Sequence, residues 1–466
     1  MVGWIGQKLD WLTEHYVAVC LLLALFILSM VGVGDLAVVS MLGLLLCMVG
    51  TVQQSARADR WILFPFLVYL LFLMASSYAA YGNIAEGYGV THLIFPTVYL
   101  LMACLSNEEQ LLTRQFCAGW TGAAALAGIL QFTFRAVFGG SARRMGGVIG
   151  NPNAMGIFLV IGWFALWCLL EEQGEEGRQR RSLLSYLEPV LLAALALTLS
   201  MGSFVALAAG ICVILAGTKR KASKAGSLHP WRETFWYACG LLARASLGLG
   251  CGMLLYLAAA RTDVPWVCLI LLVYLAALVF CWKELETFLG VYPRSSAFLA
   301  ACGIAVAAAA VLVRPSSLDT FAERLEMMEN GLHYLVQSPL LGVGPYRWKF
   351  LNLADSDKYF NTWHIHNVLL HVGVESGWAA MGMLGLIAVR VLVKKNGLLR
   401  KAEFTAFCVH SLMDTGFFYL GITSLVLLTV GMPGQGGKKT GSVGLKAFFG
   451  IFALIYAYGL YFAIKT

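Results

Sequence analysis

WHIHNVLLHVGVESGWAAMGMLGLIAVRVLV, residues 363–393, is the stretch whose reading decides the fold. It opens on Trp363-His364-Ile365-His366-Asn367, turns apolar, and closes at Lys394 and Lys395. A membrane span takes about 20 apolar residues, and lipid offers no partner to a free backbone group, so such a run must be a helix. Ahead of it lies the only long polar interval after the first third of the chain, residues 314–364. That interval carries Asp319, Glu323, Arg324, Glu326, Glu329 and His333. A turn-rich Ser338-Pro339-Leu340-Leu341-Gly342-Val343-Gly344-Pro345 follows, then Arg347 and Lys349. At roughly 50 residues it is too long for a plain connector. Three of the eight histidines lie between 364 and 371, and titratable groups clustered at a membrane surface are where chemistry is expected.

Outward from this stretch the chain keeps the same character. Hydrophobic residues make up 59% of the 466 and charged residues 12%, where a soluble globular chain has about 25% charged. Mean hydropathy is +0.76. The expectation is an all-α, polytopic transmembrane helical bundle of about 12 to 15 spans with one long external loop. Residues 1–313 would hold the N-terminal helices, 314–364 the external loop, and 365–466 the C-terminal helices. The first apolar run, from about Tyr16, has no small-residue cleavage pattern after it and reads as a retained helix. The twelve cysteines fall in or beside apolar runs and none forms a CxxC pair, which fits buried thiols better than disulfides or a thiolate metal site. The net charge of +8, spread over short loops, reads as topology and headgroup contact, not as nucleic-acid binding.

Lysine and arginine bias places 57–60, 171–181, 219–232, 283–294 and 394–401 in the cytoplasm. Segments 139–153, 200–203 and 314–363 then share the outer face. Arg143 and Arg144 run against the bias there. The outer segments contribute Arg143, Arg144, Asn151, Asn153, Arg324, Arg347, Lys349, His364, His366 and Asn367. Grouped arginines suit a pyrophosphate, because the guanidinium donates bidentate bonds and stays charged. A neutral imidazole can accept a proton from a hydroxyl. Together they would serve glycosyl transfer with a lipid pyrophosphate leaving group, and no DxD-like acidic cage calls for a metal or other cofactor.

Several of these residues carry two readings. Asn367, His371 and Glu375 stand four apart along one helical face, so His371 and Glu375 either belong to a wet site or simply bond each other and lock packing. Gly373 and Gly377 suit close helix approach. Gly150-Asn151-Pro152-Asn153 is a capped helix start, and either that alone or an anion site. Asp414 is a polar turn or a member of the outer cluster. A metal on His364, His366 and His371 is disfavoured by loose spacing and the lack of a fourth ligand.

Four pieces in order resemble the O-antigen ligase and polymerase superfamily: Arg144 before GNPNAMG, ERLEMMENGLHYLVQSPLLGVGPYRW with Arg324, HIHNVLLHVGVESGWAAMG, and HSLMD ending at Asp414. They cover about residues 140–415. The resemblance implies a GT-C-like membrane enzyme in a bacterial plasma (inner) membrane, working on the outer side of the bilayer. It would move a glycan from undecaprenyl pyrophosphate to a glycan or lipid acceptor, with inversion and without a metal. By the same resemblance His366 is the base, His364 and Asn367 orient the acceptor, and Arg324 and Arg144 hold the pyrophosphate. Arg143, Arg347, Asn151, Asn153, Glu375 and Asp414 would complete substrate binding. One departure is Ser200-Met201-Gly202 where many members read Ser-Arg-Gly, a position that Arg143 or Arg347 would have to serve. The rival classes are a transporter or flippase of lipid-linked oligosaccharide, for which a fixed-period repeat is missing, and a non-catalytic binder of the same lipid.

Overall fold

The computed structural model describes residues 11–139, 143–172, 184–261, 266–312, 316–355, 360, 362–394, 396–431 and 440–466. In chain order its helices begin with α1 (Tyr16–Val31), α2 (Leu36–Thr51), α3 (Arg60–Tyr81), α4 (Ile94–Cys104), α5 (Asn107–Gly139) and α6 (Pro152–Glu172). Next come α7 (Leu187–Thr198), α8 (Met201–Lys224), α9 (Pro230–Arg261), α10 (Val267–Phe280), α11 (Trp282–Val291) and α12 (Pro293–Leu312). The last are α13 (Ser316–Gln337), α14 (Arg347–Asp355), α15 (Val368–Val393), α16 (Leu398–Ser411), α17 (Leu420–Thr429) and α18 (Ser442–Lys465). Sheet among the described residues is one antiparallel pair, Ser55–Ala56 with Thr440–Gly441. The chain is therefore an all-α, multi-pass membrane protein.

Among the described residues seven helices are long and apolar enough to cross a bilayer: α3, α5, α6, α8, α9, α15 and α18. The pair α10 and α11, bent by 62°, would make an eighth. Several apolar runs that sequence reading takes as full spans end early. Helix α1, for example, has 16 residues, about 24 Å of rise against about 30 Å of hydrocarbon. Reaching twelve to fifteen spans would require these shorter apolar helices.

The polar interval is not an open loop. Most of it folds as α13 and α14 around the Ser338–Tyr346 turn, while Arg314 and Pro315 lie outside the described residues. Between 316 and 337 there is no proline and one glycine, Gly331, so nothing stops a helix there. The sequence reading assigned no helix to this interval.

The chain divides into two compact units. The first comprises Met1–Cys117, Glu323–Asn396 and Ser411–Thr466, and the second Ala118–Ala322 and Gly397–His410. In the first unit α15 packs on α3, α2 on α18, and α17 on α1 and α4. A buried cluster of Met327, Tyr334, Leu335, Trp348, Ile365, Leu370 and Val374 ties α13 to the start of α15.

Helix α15 is broken at Gly377, whose φ of 88° lies in the left-handed region, a conformation that favours glycine. A Cβ there would meet the Leu340 carbonyl oxygen. The turn fills the break: Val343 N–H donates to Val374 O at 2.8 Å, Gly344 N–H to Glu375 O at 3.2 Å, and Trp378 N–H to Pro339 O at 2.9 Å. The glycine at 377 thus serves a backbone-to-backbone approach, not only helix packing.

In the second unit α9 packs on α7 and α12, and α6 on α7 and α8. Its buried Glu188 accepts from three indoles: Trp163 at 3.4 Å, Trp167 at 3.2 Å and Trp282 at 3.2 Å. Arg244 stands 3.9 Å from the same carboxylate and also pairs with Glu286. A carboxylate this deep in apolar helix persists because its lone pairs are used.

Candidate functional site

The first unit gathers the histidines at the threshold of α15. Asn367 caps that helix, its side-chain oxygen accepting the Leu370 N–H at 3.1 Å, and its own N–H donates to Ile365 O at 2.7 Å. The local sequence explains the turn. Asparagine is a strong N-cap, and an apolar run follows it. Asn367 therefore spends its oxygen on the helix start.

His366 is half-buried, with Nδ1 3.4 Å from Asp414 Oδ1. That separation lies within ion-pair reach but beyond a good hydrogen bond. Asp414 is nearly buried and well held. Its Oδ1 accepts the Thr415 N–H at 2.8 Å and its Oδ2 accepts Arg324 Nη2 at 3.1 Å. Arg324 Nη1 also donates to Met413 O at 2.5 Å, and its Nε is buried with no hydrogen-bond partner. A proton on His366 Nδ1, facing this carboxylate, would leave Nε2 as the basic nitrogen. The geometry brings His366, Asp414 and Arg324 together as one array, with Asp414 also holding the turn through the Thr415 N–H.

His364 sits against Tyr88, whose hydroxyl lies 2.9 Å from Nε2. The rings of His371 and Phe418 stand 4.9 and 4.8 Å away. Loss of solvation, then repulsion from His371 and His366, pushes the His364 pKa well below the ordinary imidazole value, so the ring is neutral. His371 and Glu375 are both fully enclosed, with Nε2 3.3 Å from Oε2. Among hydrogen bonds, His371 Nδ1 accepts the Ile365 N–H at 3.4 Å, whereas neither Glu375 oxygen has a partner. Glu375 faces His371 inside the unit, which favours the packing reading over direct substrate contact.

Arg347 gives Nη2 to Ala80 O at 2.8 Å and lies 5.2 Å over the Tyr81 ring. It thereby caps the carboxyl end of α3. Lys349 stands 3.8 Å over the Trp363 ring.

The second unit holds the other sequence candidates. Arg144 donates from Nε to Thr198 O at 2.8 Å and from Nη2 to Asn153 Oδ1 at 2.5 Å. Asn151 caps α6, accepting the N–H of Asn153 at 2.8 Å and of Ala154 at 3.2 Å. Arg143 is exposed on the segment before it. Ser200 caps α8 by accepting the Ser203 N–H, and Met201 follows it, 38% exposed. Among the described residues no three His, Cys, Asp or Glu side chains form a metal-holding group.

Sequence reading missed Tyr88 and Thr415. Neither lies in a patterned stretch, and a hydroxyl or an amide that orients a partner leaves no signature of spacing. No family model matches this chain, and no curated protein matches it either.

Proposed function

We propose that the protein is a membrane glycosyltransferase that moves a glycan from undecaprenyl pyrophosphate to an acceptor hydroxyl on the outer face of a bacterial plasma membrane. The observation that carries this reading is the His366–Asp414–Arg324 array, an imidazole beside a nearly buried carboxylate that is itself fixed by an arginine and a backbone N–H. His366 Nε2 takes the acceptor proton as the hydroxyl oxygen attacks the anomeric carbon. The bond from that carbon to phosphate oxygen breaks from the opposite side, inverting the centre, and the electron pair leaves on the lipid pyrophosphate. Asp414 steadies the imidazolium formed. No step needs a metal.

Resemblance in four ordered motifs supports the ligase or polymerase class, with Arg324 toward the pyrophosphate. One observation favours a second reading, a transporter of lipid-linked oligosaccharide: α15 is discontinuous at Gly377, and broken helices mark such proteins.

Transfer from a purified undecaprenyl-pyrophosphate glycan in detergent, with and without EDTA, separates the two. The expected result is product from wild type that EDTA leaves unchanged, and a loss of about 10²- to 10⁴-fold in His366→Ala. A ladder of product sizes marks a polymerase and a single product a ligase. If a broad set of acceptors yields nothing while the lipid still binds, the transferase reading is wrong and transport or binding takes its place.

A further inference from the structure

The turn joining α8 to α9 in the second unit is cationic, apolar and fixed in shape at once. Between 219 and 233 stand five cations, Lys219, Arg220, Lys221, Lys224 and Arg232, against one carboxylate, Glu233. Arg220, Lys221, Lys224 and Arg232 are exposed, while Glu233 accepts the Ser227 hydroxyl at 2.6 Å. In the same turn Leu228 is 89% exposed and Trp231 71%, and the Lys219 ammonium lies 3.3 Å over the Trp231 ring. The backbone is closed around Gly226, whose φ is 80°. Its N–H donates to Ser223 O at 3.2 Å and the Ser227 N–H to Ala222 O at 3.1 Å, the paired bonds that end a helix on a left-handed glycine. An open cleft of about 340 Å³ beside the turn is lined by Ser227, Leu228, His229, Arg232, Glu233 and Trp236.

The two spans themselves set the depth of this turn. Both α8 and α9 are long and apolar enough to cross a bilayer, and they pack on each other. The connection from Lys224 to Pro230 is short enough to make them an antiparallel hairpin. From Met201 to Thr218 the chain carries no charge, and that length of helix rises about 27 Å against about 30 Å of hydrocarbon. Lys219 is therefore the first charge at the edge of the acyl layer. Lys224 lies about 8 Å further along α8, within the thickness of the headgroups, and Trp231 returns to the level of Lys219. Water would suit the cations but not Leu228 and Trp231. Anionic headgroups serve both, since phosphate oxygens meet the cations and the ends of the acyl chains meet the apolar pair. We propose that the α8–α9 turn is a binding site for anionic phospholipid in the leaflet at that end of the two spans. Arg220, Lys221, Lys224 and Arg232 draw the phosphates, and Leu228 and Trp231 seat among the headgroups. The inference rests on membrane embedding and is independent of the transferase reading.

A photoreactive benzophenone amino acid placed at Leu228, or in a second protein at Leu254, tests it. Leu254 is 52% exposed and lies about 36 Å along α9 from Pro230, toward the opposite leaflet. The purified full chain is reconstituted in nanodiscs of equal phosphatidylethanolamine and phosphatidylglycerol, irradiated and read by mass spectrometry. The expected result is lipid adducts at Leu228 enriched several-fold in phosphatidylglycerol, beside adducts at Leu254 in the bulk ratio. Combining Arg220→Gln, Lys221→Gln and Lys224→Gln should return the Leu228 ratio to bulk while Leu254 still labels lipid. A bulk ratio at Leu228 in the unsubstituted chain, or no lipid adducts there while Leu254 gives them, would overturn the proposal. So would enrichment that survives the triple variant. Enrichment abolished by inorganic phosphate, but not by chloride at equal ionic strength, would also overturn it by assigning the cations to a soluble anion.

Discussion

Glu188 and Glu375 are both carboxylates sunk in apolar helix at 1% exposure, yet their surroundings are opposite. Glu188 has three indole N–H donors and a guanidinium close by. Glu375 has a histidine at 3.3 Å and no hydrogen bond to either side-chain oxygen. Its backbone carbonyl is the better used part, accepting Ser76 Oγ at 2.6 Å and the Gly344 N–H. Burial alone therefore does not sort structural charges from working ones. What sorts them is whether the lone pairs are filled, because an unfilled buried acceptor costs about 1–3 kcal/mol and persists where something else is gained.

The largest effect should come from emptying the filled site. Glu188→Ala strands three indole donors and leaves Arg244 with the exposed Glu286 and the Trp167 ring, a loss of about 3–5 kcal/mol, read by denaturation in detergent micelles. A loss no greater than that of Glu375→Ala would erase the distinction between the two carboxylates.

Next in size is the break in α15. Gly377→Ala must place a side chain at a φ of 88° and against the Leu340 carbonyl, a strain of about 1–3 kcal/mol. Gly382→Ala, on the same helix with no atom within 4 Å of the new Cβ, is the control and should be neutral or gain up to about 1 kcal/mol from helix propensity. If the two variants unfold alike, the turn at 338–345 is not what holds the break open.

Much of this was legible in the sequence, for physical reasons that also mark where legibility stopped. Membrane length and lack of charge forced α3, α6, α8 and α15 to be helices, and Asn151 announced its own cap, whereas Asn367 was read as part of a helical face and proves to be the cap. Asp414 and Arg324 were named as candidates, but that they grip each other needed two segments 90 residues apart to fold together. The helices within the interval before α15 were not anticipated, because its charges mask the helical spacing of Met327, Tyr334 and Leu335. Arg347 shows the converse: a cation expected to bind substrate whose visible work is on the Ala80 carbonyl. Glu188 drew no notice, since a lone acid at a helix start looks like a solvated end until three tryptophans converge on it.

Acid should weaken the histidine corner selectively. The folded pKa of His364 is depressed, so below the unfolded value near 6.5 the unfolded chain takes up a proton that the folded chain refuses. Stability contributed by the neutral ring is complete above pH 6.5 and falls as pH drops below it, by at most about 1.4 kcal/mol per pH unit. Denaturation between pH 7.5 and 5 should show that slope in wild type and a shallower one in His364→Phe. Equal slopes would assign the acid sensitivity to other groups.

The smallest change in stability is expected for Glu375→Gln, and it probes the comparison most finely. The amide keeps the volume and one acceptor facing His371, and no side-chain hydrogen bond is lost, so stability should move by less than about 1 kcal/mol. The charge, however, disappears. Because the Ile365 N–H donates to His371 Nδ1 at 3.4 Å, the ring proton belongs on Nε2, toward Glu375, and a carboxylate there favours that tautomer. Without the charge the opposite tautomer becomes accessible, in which Nδ1 carries the proton and cannot accept from Ile365. Faster amide exchange at Ile365, in a variant as stable as wild type, would mean that the unfilled carboxylate holds the turn bearing His364 and His366 through a proton and not through packing. Unchanged exchange would reduce Glu375 to a space-filler and make Glu188 the only buried carboxylate of the two whose charge matters to the fold.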